Sequence, residues 1–142
     1  MAERMIRVLM VEPGEPPHAV WIPLTHDSLS NAVKNGADDL GNARIRKVEP
    51  GVYVLYNDGG ILSDLPGNRH VGTMVICGVF YVIAADEQGY IKSLPDSILR
   101  RYQKLLWDPE EIPYRELVQA HMSDFLRQLD EIEFSDSTDI YY

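Results

Sequence analysis

The longest apolar stretch of the chain, residues 73–85, reads TMVICGVFYVIAA and decides the fold class. Its β-branched and aromatic residues favour a buried β-strand. Gly78 interrupts the stretch, and a glycine inside a strand predicts a bulge or bend at that point. A membrane-spanning helix needs roughly 20 apolar residues. The stretch therefore predicts one long strand of a sheet rather than a membrane segment.

Further strands are predicted on the N-terminal side of this stretch. Residues 5–11 (MIRVLMV) have the β-branched, apolar character of a strand inside a sheet. The loop at residues 12–17 (EPGEPP) is too rich in proline and glycine to continue that strand. Residues 19–23 form a short second strand, and pairing it with the first across this loop is the simplest arrangement.

Two more strands and a turn complete the predicted sheet. Residues 44–48 and 52–56 are strand patterns on either side of a Glu-Pro-Gly sequence. Residues 57–60 (NDGG) predict a hairpin turn, because glycine tolerates the positive φ of such turns, and Ile61 and Leu62 would begin the return strand. Residues 65–70 (LPGNRH) are interpreted as an irregular loop.

Three helices are predicted from caps and apolar spacing. Thr25 or Asp27 is a suitable N-cap for a short helix that ends near residues 35–36. Ser93 and Asp96 have the spacing of a capping box at the start of a second helix. A third helix runs from about residue 111 or 113 to residue 132. The chain is therefore predicted to have an α+β fold, with one mixed, mostly antiparallel sheet, a short helix after the second strand and two C-terminal helices.

The negative charge of the chain is concentrated at its C-terminal end. The formal net charge is −9, from 13 Lys and Arg against 22 Asp and Glu. Residues 1–107 carry 11 basic and 12 acidic side chains, whereas residues 108–142 carry 2 and 10. Pro109 ends any helix that arrives from upstream. We therefore divide the chain into an α+β core domain at 1–107 and an acidic helix with a tail at 108–142.

The residue content excludes several function classes. A single cysteine, Cys77, excludes a disulfide framework and any cysteine-rich zinc site. The four histidines lack metal-ligand spacing, and no motif of a hydrolase, kinase, nucleotide-binding loop or metalloprotease occurs. We expect no metal, no cofactor and no catalytic residues, and a non-enzymatic role is favoured. The acidity argues against direct binding to nucleic acid, and a cytoplasmic location is expected.

The loop at 65–70 contains the best candidate for a small-ligand site. Arg69 offers a rigid donor fork for a carboxylate or phosphate, and Asn68 offers both a donor and an acceptor. His70 adds a titratable ring. A nucleotide or a carboxylated metabolite would be the ligand, and the protein could then be a binding protein or a simple enzyme. The alternative is structural, with Asn68 capping a turn and Arg69 pairing with a carboxylate across the sheet.

The acidic C-terminal segment is the candidate surface for a protein partner. Regularly spaced negative charge can occupy the nucleic-acid-binding groove of another protein. The alternative is that an acidic helix face keeps the protein in solution. The chain is also compatible with a homodimer, and no membrane contact is expected. The residues assigned to the partner surface are Glu116, Asp124, Asp130, Glu131 and Glu133.

The sequence also resembles a family of small bacterial and phage proteins, one of the numbered domains of unknown function. The opening VEPGEPP at residues 11–17 carries the resemblance, together with the Asn68-Arg69 pair and residues 71–86 and 80–106. The similarity covers about residues 5–109. It implies a small module carried by phages, plasmids or other mobile elements, and it assigns no activity or catalytic residue. The acidic helix lies outside the shared region, so a function located there would belong to this protein rather than to the family.

Overall fold

The computed structural model describes residues 4–34, 41–59 and 65–130, except for the side chains of 124 and 127–130. Within these ranges the chain forms eight strands and three helices. In chain order they are β1 (Met5–Val11), β2 (His18–Pro23), α1 (His26–Ala32), β3 (Ala43–Glu49), β4 (Val52–Asn57), β5 (Gly67–Val71), β6 (Met74–Cys77), β7 (Phe80–Ala85), β8 (Ile91–Lys92), α2 (Asp96–Leu105) and α3 (Tyr114–Asp130).

The main sheet has the order β2-β1-β7-β4-β3, and all of its described pairings are antiparallel. β7 lies at its centre, and every residue of β7 is buried. The short strand β8 pairs with the end of β7, beyond the point where β1 leaves it. The predicted pairing of β1 with β2 across the proline-rich loop is confirmed, as are the two strands around residues 49–51.

Both faces of the main sheet are covered, because its inner strands alternate their side chains between two apolar layers. Phe80 and Val82 of β7 face a layer to which α2 contributes Leu99 and Tyr102. Ile83 faces the opposite layer, which α1 covers. The β5–β6 hairpin is a separate two-stranded sheet and packs with α2 on the first face. This three-layer arrangement confirms the predicted α+β class.

The predicted long strand over residues 73–85 is wrong in one respect, because it is two strands in two sheets. Gly78 has a φ of 73° and donates its N–H to the carbonyl of Pro66 at 2.8 Å. That left-handed conformation turns the chain from β6 into β7 instead of bending one strand. The partner of β6 is β5, which occupies residues that had been interpreted as an irregular loop. The two-stranded sheet therefore carries the candidate ligand residues.

The helix caps were predicted with mixed success. Thr25 caps α1, because its hydroxyl accepts the N–H of Ser28 at 3.1 Å. The capping box at the start of α2 is wrong, since Pro95 is the N-cap and makes no side-chain bond. Ser93 instead accepts the backbone N–H of Arg7 at 2.9 Å, and Asp96 pairs with the Arg7 guanidinium at 3.0 Å. Both side chains thus tie the start of α2 to β1.

Two further predictions concern the turn after β4 and the start of α3. β4 ends at Asn57, whose side-chain oxygen accepts the N–H of Gly59 at 2.8 Å, as in a turn. The proposed return strand at Ile61 and Leu62 lies outside the described residues. α3 begins at Tyr114, directly after Pro113, within a residue of the predicted start.

Candidate functional site

A β-bulge in β5 turns two neighbouring polar side chains into the protein. In the β5–β6 register Gly67 is opposite Cys77 and Arg69 is opposite Ile76, so Asn68 is an extra residue on its strand. Strand residues normally alternate between the two faces. The bulge breaks this alternation, and both Asn68 and Arg69 are 0% exposed.

The Arg69 guanidinium is bonded to main-chain carbonyls of two separate segments and to the side chain of its neighbour Asn68. Its Nε donates to Leu106 at 3.0 Å, at the C-cap of α2, and its Nη2 donates to Glu15 at 2.6 Å, in the proline-rich loop. Its Nη1 donates to the side-chain oxygen of Asn68 at 2.8 Å. A cation at a helix C-terminus is favourable because it meets the negative end of the helix dipole. Arg69 therefore connects β5 to α2 and to the loop after β1.

Asn68 forms hydrogen bonds with two further main-chain segments. Its Nδ2 donates to the carbonyls of Val11 at 2.9 Å and of Gly78 at 2.8 Å. Burial lowers the pKa of Arg69, and the charges of Glu110 and Asp108 partly offset this effect. A guanidinium with buried carbonyl partners stays charged, because its ordinary pKa is above 12. Asn68 and Arg69 therefore act together to fasten the turn between β6 and β7 to the rest of the core.

Two roles were considered for Asn68 and Arg69, binding of a small ligand and a structural role. Neither side chain reaches the surface, and the bonds of both run to the protein's own oxygen atoms. The structural reading is favoured, although the acceptors are main-chain and amide oxygens rather than a carboxylate across the sheet. A ligand at these residues stays a prediction, and it would have to displace those internal bonds.

His70, the third candidate, lies on the surface between two carboxylates. Its Nδ1 is 2.5 Å from Glu110 Oε1, and its Nε2 contacts Glu116 Oε1 of α3. The backbone N–H of His70 also donates to Glu110 Oε2 at 3.0 Å. An imidazole can donate from both nitrogens only when it is protonated. The arrangement therefore favours a charged His70 that holds α3 against β5.

The pKa values of this cluster shift in the directions that such a contact requires. Hydrogen bonds to Glu110 and Glu116 raise the pKa of His70, although burial opposes the change. Burial raises the pKa of Glu110, but the hydrogen bonds from the His70 ring and backbone outweigh it and leave the value lowered. The side chains of His70, Glu110 and Glu116 are 43%, 35% and 42% exposed, so water screens the cluster.

We expect the His70 contacts to stabilise the protein most between the ordinary pKa values of glutamate and histidine, 4.5 and 6.5. A raised histidine pKa contributes stability below 6.5 that is lost as the pH rises through the folded-state value. A lowered glutamate pKa contributes stability above 4.5 that is lost as the pH falls through the folded-state value. Urea unfolding of the wild type and of His70→Gln checks this at about pH 5.5 and about pH 8.5.

The destabilisation by His70→Gln should be larger at the lower of these two pH values, by about 0.2–1 kcal/mol, as for exposed ion pairs. Because every other residue is the same in the two proteins, the comparison isolates His70. An equal difference at both pH values would contradict the charged state of the ring.

Glu116 is the one proposed partner residue whose side chain the structure describes. Its side chain is only partly exposed, and its carboxylate already contacts His70 of the same protein, so it is not free to meet a partner. Asp124 and Asp130 belong to α3, but their side chains are among those not described, and Glu131 and Glu133 lie outside the described residues. The acidic surface stays a prediction.

The apolar side chains whose spacing predicted the third helix are divided between a buried and an exposed face of α3. Leu117 is 6% exposed and packs toward Gly67 of β5. The neighbouring face, centred about 100° around the helix from Leu117, is solvent-exposed and is named the α3 stripe. The exposed fractions of its members are 66% for Tyr114, 37% for Val118, 50% for Met122, 50% for Phe125 and 55% for Leu126.

Other candidate chemistry is sparse in the described ranges. Cys77 is buried, and burial raises the pKa of its thiol, which agrees with a structural role. No group of three metal-ligating side chains occurs among residues 4–34, 41–59 and 65–130. In the same part of the chain, no helix has the length and apolar character needed to cross a membrane.

Comparison with known proteins identifies the family. A family model described as a domain of unknown function (DUF3846) matches residues 6–106, and the chain belongs to this family. The match runs from β1 to the C-cap of α2, where Arg69 binds Leu106, and it does not include α3. No curated protein and no solved structure matches the chain.

Proposed function

We propose that the protein is a non-enzymatic protein-binding module of a phage or mobile element, and that it modulates a host protein by presenting α3 to it. The observation that carries the proposal is the α3 stripe. Large side chains that are half exposed on one helix face have no energetic reason to remain in water, and contiguous apolar surface of this kind marks interaction sites.

The spacing of the stripe fits insertion of a helix into a groove. Val118, Met122, Phe125 and Leu126 stand at positions i, i+4, i+7 and i+8, the anchor pattern of amphipathic helices bound in apolar grooves. At 3.6 residues per turn, Tyr114, Val118, Met122 and Phe125 fall within about 80° of one another. The centre of the stripe lies about 100° around the helix from Leu117, and its members are exposed while Leu117 is buried, so the same helix can pack on β5 and still offer this face.

The charge of the segment indicates the chemistry of the partner. Residues 108–142 carry ten acidic and two basic side chains. A groove bordered by basic residues would attract such a segment at long range, while the stripe would supply the affinity after contact. Host proteins that handle DNA, or that defend against foreign DNA, have basic surfaces of this kind. The partner we propose is therefore an apolar groove with a basic rim on such a protein.

The test is capture of a host protein by the wild type and by matched variants of the chain. Met122→Glu/Phe125→Glu places two charges in the α3 stripe without touching the core. Trp21→Glu is the control, because Trp21 is 61% exposed on β2 and lies outside α3. Affinity for the captured protein is then measured by calorimetry at low and high salt, with circular dichroism to verify folding.

We expect Met122→Glu/Phe125→Glu to weaken binding about 100-fold or more, since two central anchors are lost. Trp21→Glu should bind as the wild type does. Binding should persist in high salt with slower association, because salt screens attraction but not apolar contact. Binding that survives the double substitution but is lost in Asp124→Lys/Asp130→Lys would reject the stripe in favour of the acidic surface.

A further inference from the structure

The solvent face of α2 forms a groove that none of the features described above uses. The groove is shallow, is open to solvent over most of its surface and has a volume of about 410 Å³. Residues 100, 103 and 104 lie on one stripe of α2, and residues 107 and 108 follow directly after its C-cap, Leu106. The lining residues are Arg100, Gln103, Lys104, Trp107 and Asp108.

Among the described residues, the two cations of the groove have no ion-pair partner. Arg7 pairs with Asp96, Arg101 pairs with Glu49, and Arg69 is bonded inside the core. Arg100 and Lys104 make no ion pair and no side-chain hydrogen bond with the described residues. They stand one helical turn apart in a chain of net charge −9. A local pair of unbound cations is therefore a site where an anion would gain contacts.

Trp107 supplies a flat apolar surface beside these cations. It follows Lys104 by three residues and is 51% exposed. Its indole N–H and the Gln103 amide make no hydrogen bond to the described residues, so both are available to a ligand. Exposed indole faces bind planar rings, and such stacking contributes about 1–3 kcal/mol per nucleic-acid base.

The groups of the groove are ordered along the helix. The cations lie at 100 and 104, the indole lies at 107, and the Asp108 carboxylate closes the other end. A ligand that matches this order has an anionic end, a planar ring and donor groups beyond the ring. We propose that the groove binds a nucleoside phosphate, with the phosphate at Arg100 and Lys104 and the base on Trp107.

The individual contacts follow from ordinary recognition chemistry. The guanidinium of Arg100 can bind two phosphate oxygens, and Lys104 adds a point charge. Asp108 accepts a hydrogen bond from a ribose hydroxyl or from the base. The volume lies within the range of about 300–1,000 Å³ usual for small-ligand sites. The net charge of −9 repels a long polyanion, so a free nucleotide is the occupant rather than a nucleic-acid strand.

Tryptophan fluorescence reports on this site directly, because the chain has two tryptophans. In Trp21→Phe, Trp107 is the single remaining tryptophan. This variant is titrated with AMP, ATP, adenosine, inorganic phosphate and a single-stranded oligonucleotide. A base stacked on the indole should quench its emission, and AMP or ATP should bind more tightly than adenosine or phosphate alone.

Two substitutions in the Trp21→Phe background locate the binding. Lys104→Glu should weaken nucleotide binding about tenfold or more, because it replaces a charge-assisted contact with repulsion. Lys47→Glu is the matched control, since Lys47 is an exposed lysine of β3 outside the groove, and it should change affinity less than about twofold. Isothermal calorimetry with Trp107→Leu, which lacks the reporter, should show a comparable loss.

Three results would overturn the proposal. No quenching by any nucleotide would reject a nucleotide site. Equal losses in Lys104→Glu and Lys47→Glu would indicate diffuse attraction rather than a groove. Tighter binding of the oligonucleotide than of AMP or ATP would assign the groove to nucleic acid. Each result is independent of whether the α3 stripe binds a protein.

Discussion

Arg69→Ala is expected to lower the free energy of unfolding by about 3–5 kcal/mol, because it leaves two buried oxygens and one partly buried oxygen without a donor. The carbonyls of Leu106 and Glu15 and the side-chain oxygen of Asn68 all lose their bonds to the guanidinium. Each buried acceptor left unsatisfied costs about 1–3 kcal/mol, and the vacated space adds a cavity term. Urea unfolding followed by circular dichroism measures the loss.

Two further variants separate this role from the loss of a positive charge. Arg100→Ala removes an exposed arginine from α2 and should change stability by less than about 0.5 kcal/mol. Arg69→Lys keeps the charge but lacks the planar fork that spans three acceptors, so it should recover only part of the loss. A stable, cooperative Arg69→Ala protein would show that the guanidinium is not a structural connection.

Gly67→Ala is expected to push α3 away from β5 and to cost about 1–3 kcal/mol, as overpacking does. An added Cβ would lie 2.9 Å from Ile112 Cβ and 3.2 Å from Leu117 Cδ2. The first contact is with an atom next to the backbone, so a rotamer change cannot relieve it. The segment leading into α3 must shift, and the His70 contacts with Glu110 and Glu116 should weaken.

Hydrogen exchange resolves this effect along the chain. In Gly67→Ala, the amides of α3 should exchange faster, while those of β7 keep their protection. Gly14→Ala is the control: its φ of 77° makes alanine strained there, but an added Cβ meets nothing within 4 Å. That variant should leave exchange in α3 unchanged. Unaltered α3 exchange in Gly67→Ala would mean that the helix does not depend on this close approach.

The interior of the fold was predictable because local patterns there agree with the final packing. The β-branched, apolar character of residues 5–11 and the strand pattern of residues 52–56 predicted β1 and β4. Thr25 caps α1 through a bond three residues away, which is a contact that sequence reasoning can see. Membership of a family of unknown function was likewise predictable from the sequence, and the family model matches residues 6–106.

The errors arose where a local pattern has more than one three-dimensional outcome. An apolar run with an internal glycine can be one bent strand or two strands, and the positive φ of Gly78 decided for two. Ser93 and Asp96 had the spacing of a capping box. Their side chains instead form hydrogen bonds with Arg7, which lies 86 and 89 residues away from them in the chain. A competing partner at that distance leaves no local signal.

In the candidate sites, too, some features follow from the sequence and others from the tertiary structure. Composition by itself determined that residues 108–142 are acidic, and periodicity determined that they contain a helix. Tertiary structure decided which helix face is free, since Gly67 lets Leu117 approach β5 and leaves Val118 and Met122 exposed. Tertiary structure also decided the roles of two neighbouring residues. It buries Arg69 at a bulge, whereas it places His70 on the surface against the carboxylates of Glu110 and Glu116. The physical reason is that the burial and pairing of Arg69 and His70 depend on groups 37 to 54 residues away in the chain, whereas a sequence pattern records only each residue's chemistry and its near neighbours.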